Sequence, residues 1–193
     1  MSRPWIVLKF GGTSVATVPR WERIAARVRE LLPEYRVWVV VSALAKVTDL
    51  LRDATEEALA GSPPHGLDEV LRRHRELALA AGLRDAGLVG GLAVDAGTRQ
   101  GLGGIRLSRD VTPKLRAEFL ATGELASSRL GQRVLAQQQL DARWVDGSSL
   151  LVSHARPRES DSDRYLDARV RVKGRPERAE ELALESPLVI APG

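Results

Sequence analysis

The run Val37-Trp38-Val39-Val40-Val41 is continuously apolar, and it constrains the fold more than any other stretch of the chain. A strand that does not alternate apolar with polar residues belongs in a parallel sheet covered on both faces. A second run of the same kind, Trp5-Ile6-Val7-Leu8, precedes it. Between the two, Trp21, Ile24, Ala25, Val28, Leu31 and Leu32 recur at helical spacing, and Pro33 stops the pattern. After the second run, Val47, Leu50, Leu51, Ala54 and Ala58 mark another helix, closed by Gly61-Ser62-Pro63-Pro64. Strand, helix, strand, helix in succession is the pattern of an α/β domain with right-handed crossovers.

Residues 67–83 carry a strong helical period, and His74 falls on its apolar side, where it reads as a packed structural residue rather than a ligand. Residues 84–111 are rich in glycine. The run Gly101-Leu102-Gly103-Gly104 resembles a dinucleotide fingerprint only superficially, because Arg106 stands where the third glycine should be and no strand precedes it. It reads as a loop or helix break. Helices are expected over 113–121 and 124–140, parted at Thr122-Gly123, so that Glu124 opens the second. Strands are expected at 142–145, at 150–152 in a short form, and at 188–191, with a polar loop over 153–165 and a weak helix over 177–184. The last strand runs into Pro192-Gly193, where an α/β domain would turn into a further element, so the chain is expected to be part of a longer domain.

Hydrophobic residues make up 44% of the 193 residues and charged residues 28%, the mixture of one ordinary globular domain. The chain has no cysteine, which excludes a disulfide framework and a thiolate zinc site and fits a reducing compartment. No apolar run approaches the roughly 18–20 residues of a membrane span, and the first residues lack the apolar core of a signal peptide. A cytoplasmic location without membrane association is expected. The net charge of +4 arises from 29 basic against 25 acidic residues, and the basic run around 169–178 has no interleaved stacking aromatics. A solvated face accounts for it, and no nucleic-acid partner is expected.

Ligands of open α/β sheets bind beyond the carboxyl ends of the strands. Lys9 stands at such an end, followed by Gly11, Gly12, Thr13 and Ser14. A cation beside backbone N–H groups in a glycine turn is suited to an oxyanion, phosphate above all. The order differs from a Walker A loop. Ser42 follows the second strand with Thr48 in the next helix, Asp146 follows the 142–145 strand with Ser148 and Ser149, and Glu124 adds a carboxylate. Convergence of these strand ends on one pocket is the economical reading. Each has a plainer alternative: a tight turn for Gly11-Gly12, helix caps for Ser42 and Thr48, a first-turn carboxylate for Glu124, a turn residue for Asp146. Asp161, Asp163 and Asp167 lack the glycine and terminal glutamate of a calcium loop and read as solvated, so no metal ligand is assigned.

These residues resemble a known family. Lys9-Phe10-Gly11-Gly12-Thr13-Ser14-Val15 is similar to the N-terminal signature of aspartate kinases, within the amino acid kinase superfamily. The segment from Val40 to Leu51 resembles the family's second motif, and Thr122-Gly123-Glu124-Leu125-Ala126-Ser127 its third. The resemblance implies a three-layer α/β/α fold, a mostly parallel sheet with helices on both faces. It further implies that residues 1–193 form the N-terminal, substrate-side lobe of an incomplete kinase domain. The nucleotide-binding half and the regulatory domains of the family have no counterpart in the sequence, and some members are fused to a diaminopimelate decarboxylase.

The implied reaction is transfer of the γ-phosphoryl group of ATP, with Mg2+, to the side-chain carboxylate of L-aspartate. This is the first step toward lysine, threonine and methionine. By position, Lys9 would be catalytic, stabilising the transferring phosphoryl group. Gly11 and Gly12, with Thr13 and Ser14, would face the phosphates, Ser42 and Thr48 would hold substrate, and Glu124 would pair with the aspartate ammonium. The lobe alone is expected to be inactive, and a homo-oligomer is left open. One residue departs from the pattern: Lys46 stands where the family usually has glycine. Two alternatives are another amino acid kinase, against which Thr13-Ser14-Val15 and Gly123-Glu124 argue, and a non-catalytic binding module that kept the fold.

Overall fold

The computed structural model describes residues 3–84, 96–154, 158–169 and 186–193, together with Glu177 and Glu181. Four strands, β1 (Trp5–Phe10), β2 (Arg36–Val41), β3 (Arg143–Trp144) and β4 (Leu188–Pro192), form one parallel sheet in the order β1-β2-β4-β3. The register pairs Phe10 with Val41 and Val41 with Pro192, so the carboxyl ends of β1, β2 and β4 finish level with one another. The helices are α1 (Val18–Leu31), α2 (Val47–Leu59), α3 (His65–Ala80), α4 (Ala96–Ser108), α5 (Pro113–Gln137) and the short α6 (Asp161–Tyr165).

The core lies between the sheet and the helices. Ile6 and Leu8 of β1, Val37 and Val39 of β2 and Ile190 of β4 meet Trp21 and Val28 of α1, Leu51 of α2 and Leu130 and Val134 of α5. The buried apolar side chains of α1 to α5 all belong to this cluster. On the opposite face Trp5, Trp38, Val145, Leu150 and Val189 form a smaller one, with the rings of Trp5 and Trp38 edge to face at 5.7 Å. No helical residue among those described joins it. Burial therefore alternates along β2, and Val7 of β1 is 63% exposed, whereas β4 is buried from Leu188 to Ala191. Of the continuously apolar strands only β4 is thus buried on both faces among the described residues. Among the described residues the helices cover one face of the sheet, and the helix expected over 177–184 lies largely outside the described residues.

Two expected breaks are absent. Helix α5 passes through Thr122-Gly123 without interruption, and α4 spans Gly101, Gly103 and Gly104. A glycine costs a helix interior about 1 kcal/mol relative to alanine, and close packing repays it. A Cβ on Gly123 would lie 2.9 Å from Val47 Cγ1 and 3.1 Å from Ala43 Cβ, and one on Gly101 would lie 2.7 Å from the Phe119 ring. Thr112 caps α5, its Oγ1 accepting from the Leu115 N–H at 3.2 Å, and Pro113 follows. Residues 150–152 form no strand, and the polar loop contains α6, started by a capping box between Ser160 and Asp163. His74 is buried on α3, its Nδ1 2.8 Å from the Val70 carbonyl oxygen.

Candidate active site

Two loops meet at the carboxyl end of the sheet, one after β1 and one after β2. The Ser42 N–H donates to the Phe10 carbonyl at 3.1 Å, and the Ala45 N–H to the Gly12 carbonyl at 3.2 Å. Within the first loop the Ser14 N–H donates to the Gly11 carbonyl at 2.8 Å, so that donor serves the turn rather than a ligand. Helices clamp the pair from outside. Arg20 of α1 donates to the Thr13 carbonyl, Arg73 of α3 to the Ala45 carbonyl at 3.0 Å, and Ser127 Oγ of α5 to the Ser42 carbonyl at 2.7 Å. Three helices thereby fix main-chain positions that the sheet alone would leave as loop.

The loops and α5 enclose a cleft of about 450 Å³, lined among others by Gly12, Thr13, Ser42, Lys46, Thr48 and Glu124. Gly12, Thr13, Ser42, Thr48 and Glu124 are thus brought together, as the sequence anticipates. Lys9, at the end of β1, is near enough that its ammonium acts on the Glu124 carboxyl. Gly11 is exposed beside the turn, and Ser14 is not among the lining residues.

Glu124 does not open a helix. It lies in the interior of α5, about three turns from Thr112, so the helix N-terminus does not explain it. Burial pushes its carboxyl above the ordinary value of 4.5, and the Lys9 ammonium partly opposes that rise. A half-buried carboxylate with a cation near enough to act on it is suited to a ligand that carries both charges. Nor do Ser42 and Thr48 cap α2: the N-cap is Lys46, and no side chain makes a capping hydrogen bond there.

Lys46 is the main surprise of the site. Its φ is +70°, in the left-handed region, which glycine enters freely and other residues at a cost on the order of 1 kcal/mol. Its side chain is 75% exposed, with Nζ 3.8 Å from Asp49 Oδ2, and Arg52 holds the other oxygen of that carboxylate at 3.0 Å. Asp49 also lines the cleft, a role that nothing in its local pattern announces. The hydrogen bond from Ser127 was equally hidden, since it depends on how α5 docks on β2.

A smaller recess of about 270 Å³ adjoins the cleft through Glu124, lined also by Asp146, Ser148, Pro192 and Gly193. Asp146 acts as a turn residue, its Oδ1 accepting from the Ser148 N–H at 3.0 Å to cap a 3-10 turn over Gly147–Ser149. The ends of all four strands thus gather around one carboxylate. Among the described residues no group of three or more histidine or acidic side chains could hold a metal ion, and no helix is long and apolar enough to cross a membrane.

Comparison with known proteins agrees with this geometry. The family model described as "Amino acid kinase family" matches residues 4–191. The chain is 32% identical over 180 residues to an aspartokinase of Schizosaccharomyces pombe, covering 85% of this chain and 34% of that one. It superposes on Escherichia coli aspartokinase III in complex with lysine and aspartate with a TM-score of 0.69 and 26% identity, over 98% of this chain and 40% of the other. With the same enzyme in complex with aspartate and ADP the TM-score is 0.64 at 25% identity. The chain therefore spans about a third of the length of the curated relative and two fifths of the solved one. The match over nearly the whole chain, a parallel sheet with a glycine turn after β1, and a cleft between that turn and the interior of α5 lead to one conclusion: the chain belongs to the amino acid kinase family.

Proposed function

We propose that this chain is the substrate-side lobe of an aspartate kinase, in which ATP phosphorylates the side-chain carboxylate of L-aspartate to 4-phospho-L-aspartate. The observation that carries the reading is the half-buried Glu124 carboxylate, which feels the Lys9 ammonium, in a cleft lined also by Gly12, Thr13, Ser42 and Thr48. The names of the relatives, aspartokinases with one solved bound to aspartate and ADP, support the choice of substrate.

Glu124 would receive the substrate ammonium, a pairing stronger in a partly dry cleft than in water. Ser42 and Thr48 would orient the side-chain carboxylate toward Lys9. A carboxylate oxygen of the substrate attacks the γ-phosphorus, and the bond from that phosphorus to the bridging oxygen of ADP breaks. ADP leaves with the electron pair, and no proton need move. The protein supplies position and charge rather than a nucleophile of its own. Lys9 would offset the charge on the transferring group, and the open backbone at Gly11 would let phosphate oxygens approach. Magnesium would reach such a site with the nucleotide; the described residues do not form a binding set for it, and no step is assigned to it.

The test is a thermal-shift titration of the folded chain with L-aspartate, L-glutamate and N-acetyl-L-glutamate. An ADP-release assay, run on this chain and on any longer polypeptide that contains it, completes the comparison. A ligand at a hundred times its Kd stabilises by about 2.7 kcal/mol. L-aspartate alone should raise Tm, and the ADP release should require it. Stabilisation by N-acetyl-L-glutamate instead would assign the site to another amino acid kinase activity, and no shift with any acid would favour a non-catalytic module.

A further inference from the structure

We propose that Trp144 is a positioning residue for the site: its indole N–H grips α5 one turn from Glu124 and so sets where the Glu124 carboxyl stands in the cleft. The inference rests on the reading of Glu124 as the substrate-binding carboxylate, and adds what holds that group in place. Residues four apart share a face of a helix, and residues two apart share a face of a strand. Glu124, Ser128 and Gln132 make such a row on α5, and Ala142, Trp144 and Asp146 make one along β3 and its flanks. Ala142 and Trp144 belong to the cluster on the helical face of the sheet, and Val145 to the opposite one. The two rows run antiparallel and meet rung by rung. Gln132 Nε2 donates to the Ala142 carbonyl at 2.9 Å, Trp144 Nε1 donates to Ser128 Oγ at 2.9 Å, and Glu124 and Asp146 line the same recess. A step is about 6.0 Å along the helix and about 6.6 Å along the strand, so the rungs stay matched over this short span.

The middle rung is the most tightly defined. Ser128 is fully buried, and its hydroxyl donates to the Leu125 carbonyl at 2.9 Å while accepting from Trp144. Its donor and an acceptor lone pair are both used. The Arg129 guanidinium lies over the Trp144 ring, 3.4 Å from its centroid, and fixes the plane of the indole. The adjacent Ser127 ties the same turn of α5 to the β2 loop through the Ser42 carbonyl. Apolar contact is non-directional, so Ala126, Leu130 and Val134 hold α5 on the sheet without selecting its axial position. The two hydroxyls select it, one against the β2 loop and one against β3. Glu124 stands one turn beyond Ser128, so any slide or rotation of α5 moves its carboxyl directly. Lys46 and Asp49 share the cleft with that carboxyl and Asp146 shares the recess, while Lys9 acts on it from β1.

The experiment is a carbon-13 NMR titration of the Glu124 side-chain carboxyl, assigned by its loss in Glu124→Gln. It is run on the unmodified chain, on Trp144→Phe, on Ser128→Ala and on the double variant. Trp144→Phe keeps an aromatic ring and removes the donor. Each single variant should bring the Glu124 pKa down toward the ordinary 4.5 as the carboxyl gains water. The double variant should move it no further than the larger single change, because both substitutions remove one and the same bond. Ile105→Val, a truncation of a buried residue in α4, should lower Tm and leave that pKa where it is, which separates positioning of the carboxyl from general loss of stability. A Glu124 pKa unchanged in both Trp144→Phe and Ser128→Ala, or changed as much by Ile105→Val, would overturn the proposal. The titration uses no ligand, so its failure is distinguishable from failure of the substrate reading, which is tested by the L-aspartate-induced Tm shift.

Discussion

Gly12 lies so close to the β2 loop that a Cβ placed on it would stand 2.4 Å from the carbonyl oxygen of Ala43, whereas a Cβ on the adjacent Gly11 would meet nothing within 4 Å. Two neighbouring glycines in one turn are thus required for different reasons. Gly12 lets two loops of the protein touch. Gly11 leaves space on the outer side of the turn, where the proposed phosphates would approach.

The two alanine substitutions should therefore behave differently. Gly12→Ala forces two backbones apart and should destabilise by about 1–3 kcal/mol. Gly11→Ala should fold with nearly unchanged Tm yet, in a longer polypeptide that contains this chain and binds ADP, weaken that binding. Thermal denaturation and ADP titration of both variants check this; equal loss of stability in the two would refute the distinction.

Glu124→Gln should trade function against stability. A carboxyl whose folded pKa is raised binds more protons folded than unfolded. It favours the fold at low pH, and that contribution is lost as pH rises from about the ordinary 4.5 through the higher folded value. At pH 7 the glutamine variant should melt higher than the unmodified chain and show no L-aspartate-induced shift. In the unmodified chain, L-aspartate affinity should fall on acidification at a higher pH than for an exposed glutamate, because the ammonium needs the ionised form.

His74 should make the fold sensitive to mild acid. It is 1% exposed, its Nε2 has no hydrogen-bond partner, and burial pushes its pKa below the ordinary 6.5. The folded chain therefore binds fewer protons than the unfolded one. The stability this contributes is full above pH 6.5 and is lost as pH falls through that value toward the lower folded pKa. Melting curves between pH 7.5 and 5 should show a decline that His74→Leu flattens.

Glycines inside helices should respond in opposite directions to alanine. A Cβ on Gly131 would lie 2.2 Å from Trp21 Cη2, and Trp21 is fully buried with its Nε1 donating to the Val15 carbonyl at 2.9 Å. Gly131→Ala should lower stability by about 1–3 kcal/mol and disturb tryptophan fluorescence. Gly104 of α4 has open space around it, and Gly104→Ala should raise stability by about 1 kcal/mol.

Ser127→Ala removes the hydroxyl that donates to the Ser42 carbonyl at 2.7 Å. The expected loss is about 0.5–1.5 kcal/mol. The variant should also show a weaker L-aspartate-induced Tm shift, since Ser42 would no longer be held against α5.

Much of this protein was determined by local pattern. The apolar runs at Trp5 and Val37 and the helical periods after them specify strands and helices wherever a core is available, and the Lys9 to Val15 turn carries the resemblance to the family in seven consecutive residues. Tertiary structure decided what local pattern cannot express. Gly123 and Gly101 look like helix breaks because a glycine's local cost is visible in sequence, while the close approach of Val47 or Phe119 that offsets it is not. Glu124 is consequently an interior residue of a long helix that reaches a cleft, not a first-turn carboxylate. Lys46 is left-handed because the β2 loop must turn back onto Gly12 to join α2, and Asp49 and Ser127 enter the site through that docking. Periodicity reports what each segment needs to bury; only the packed molecule sets which partner buries it and at what distance.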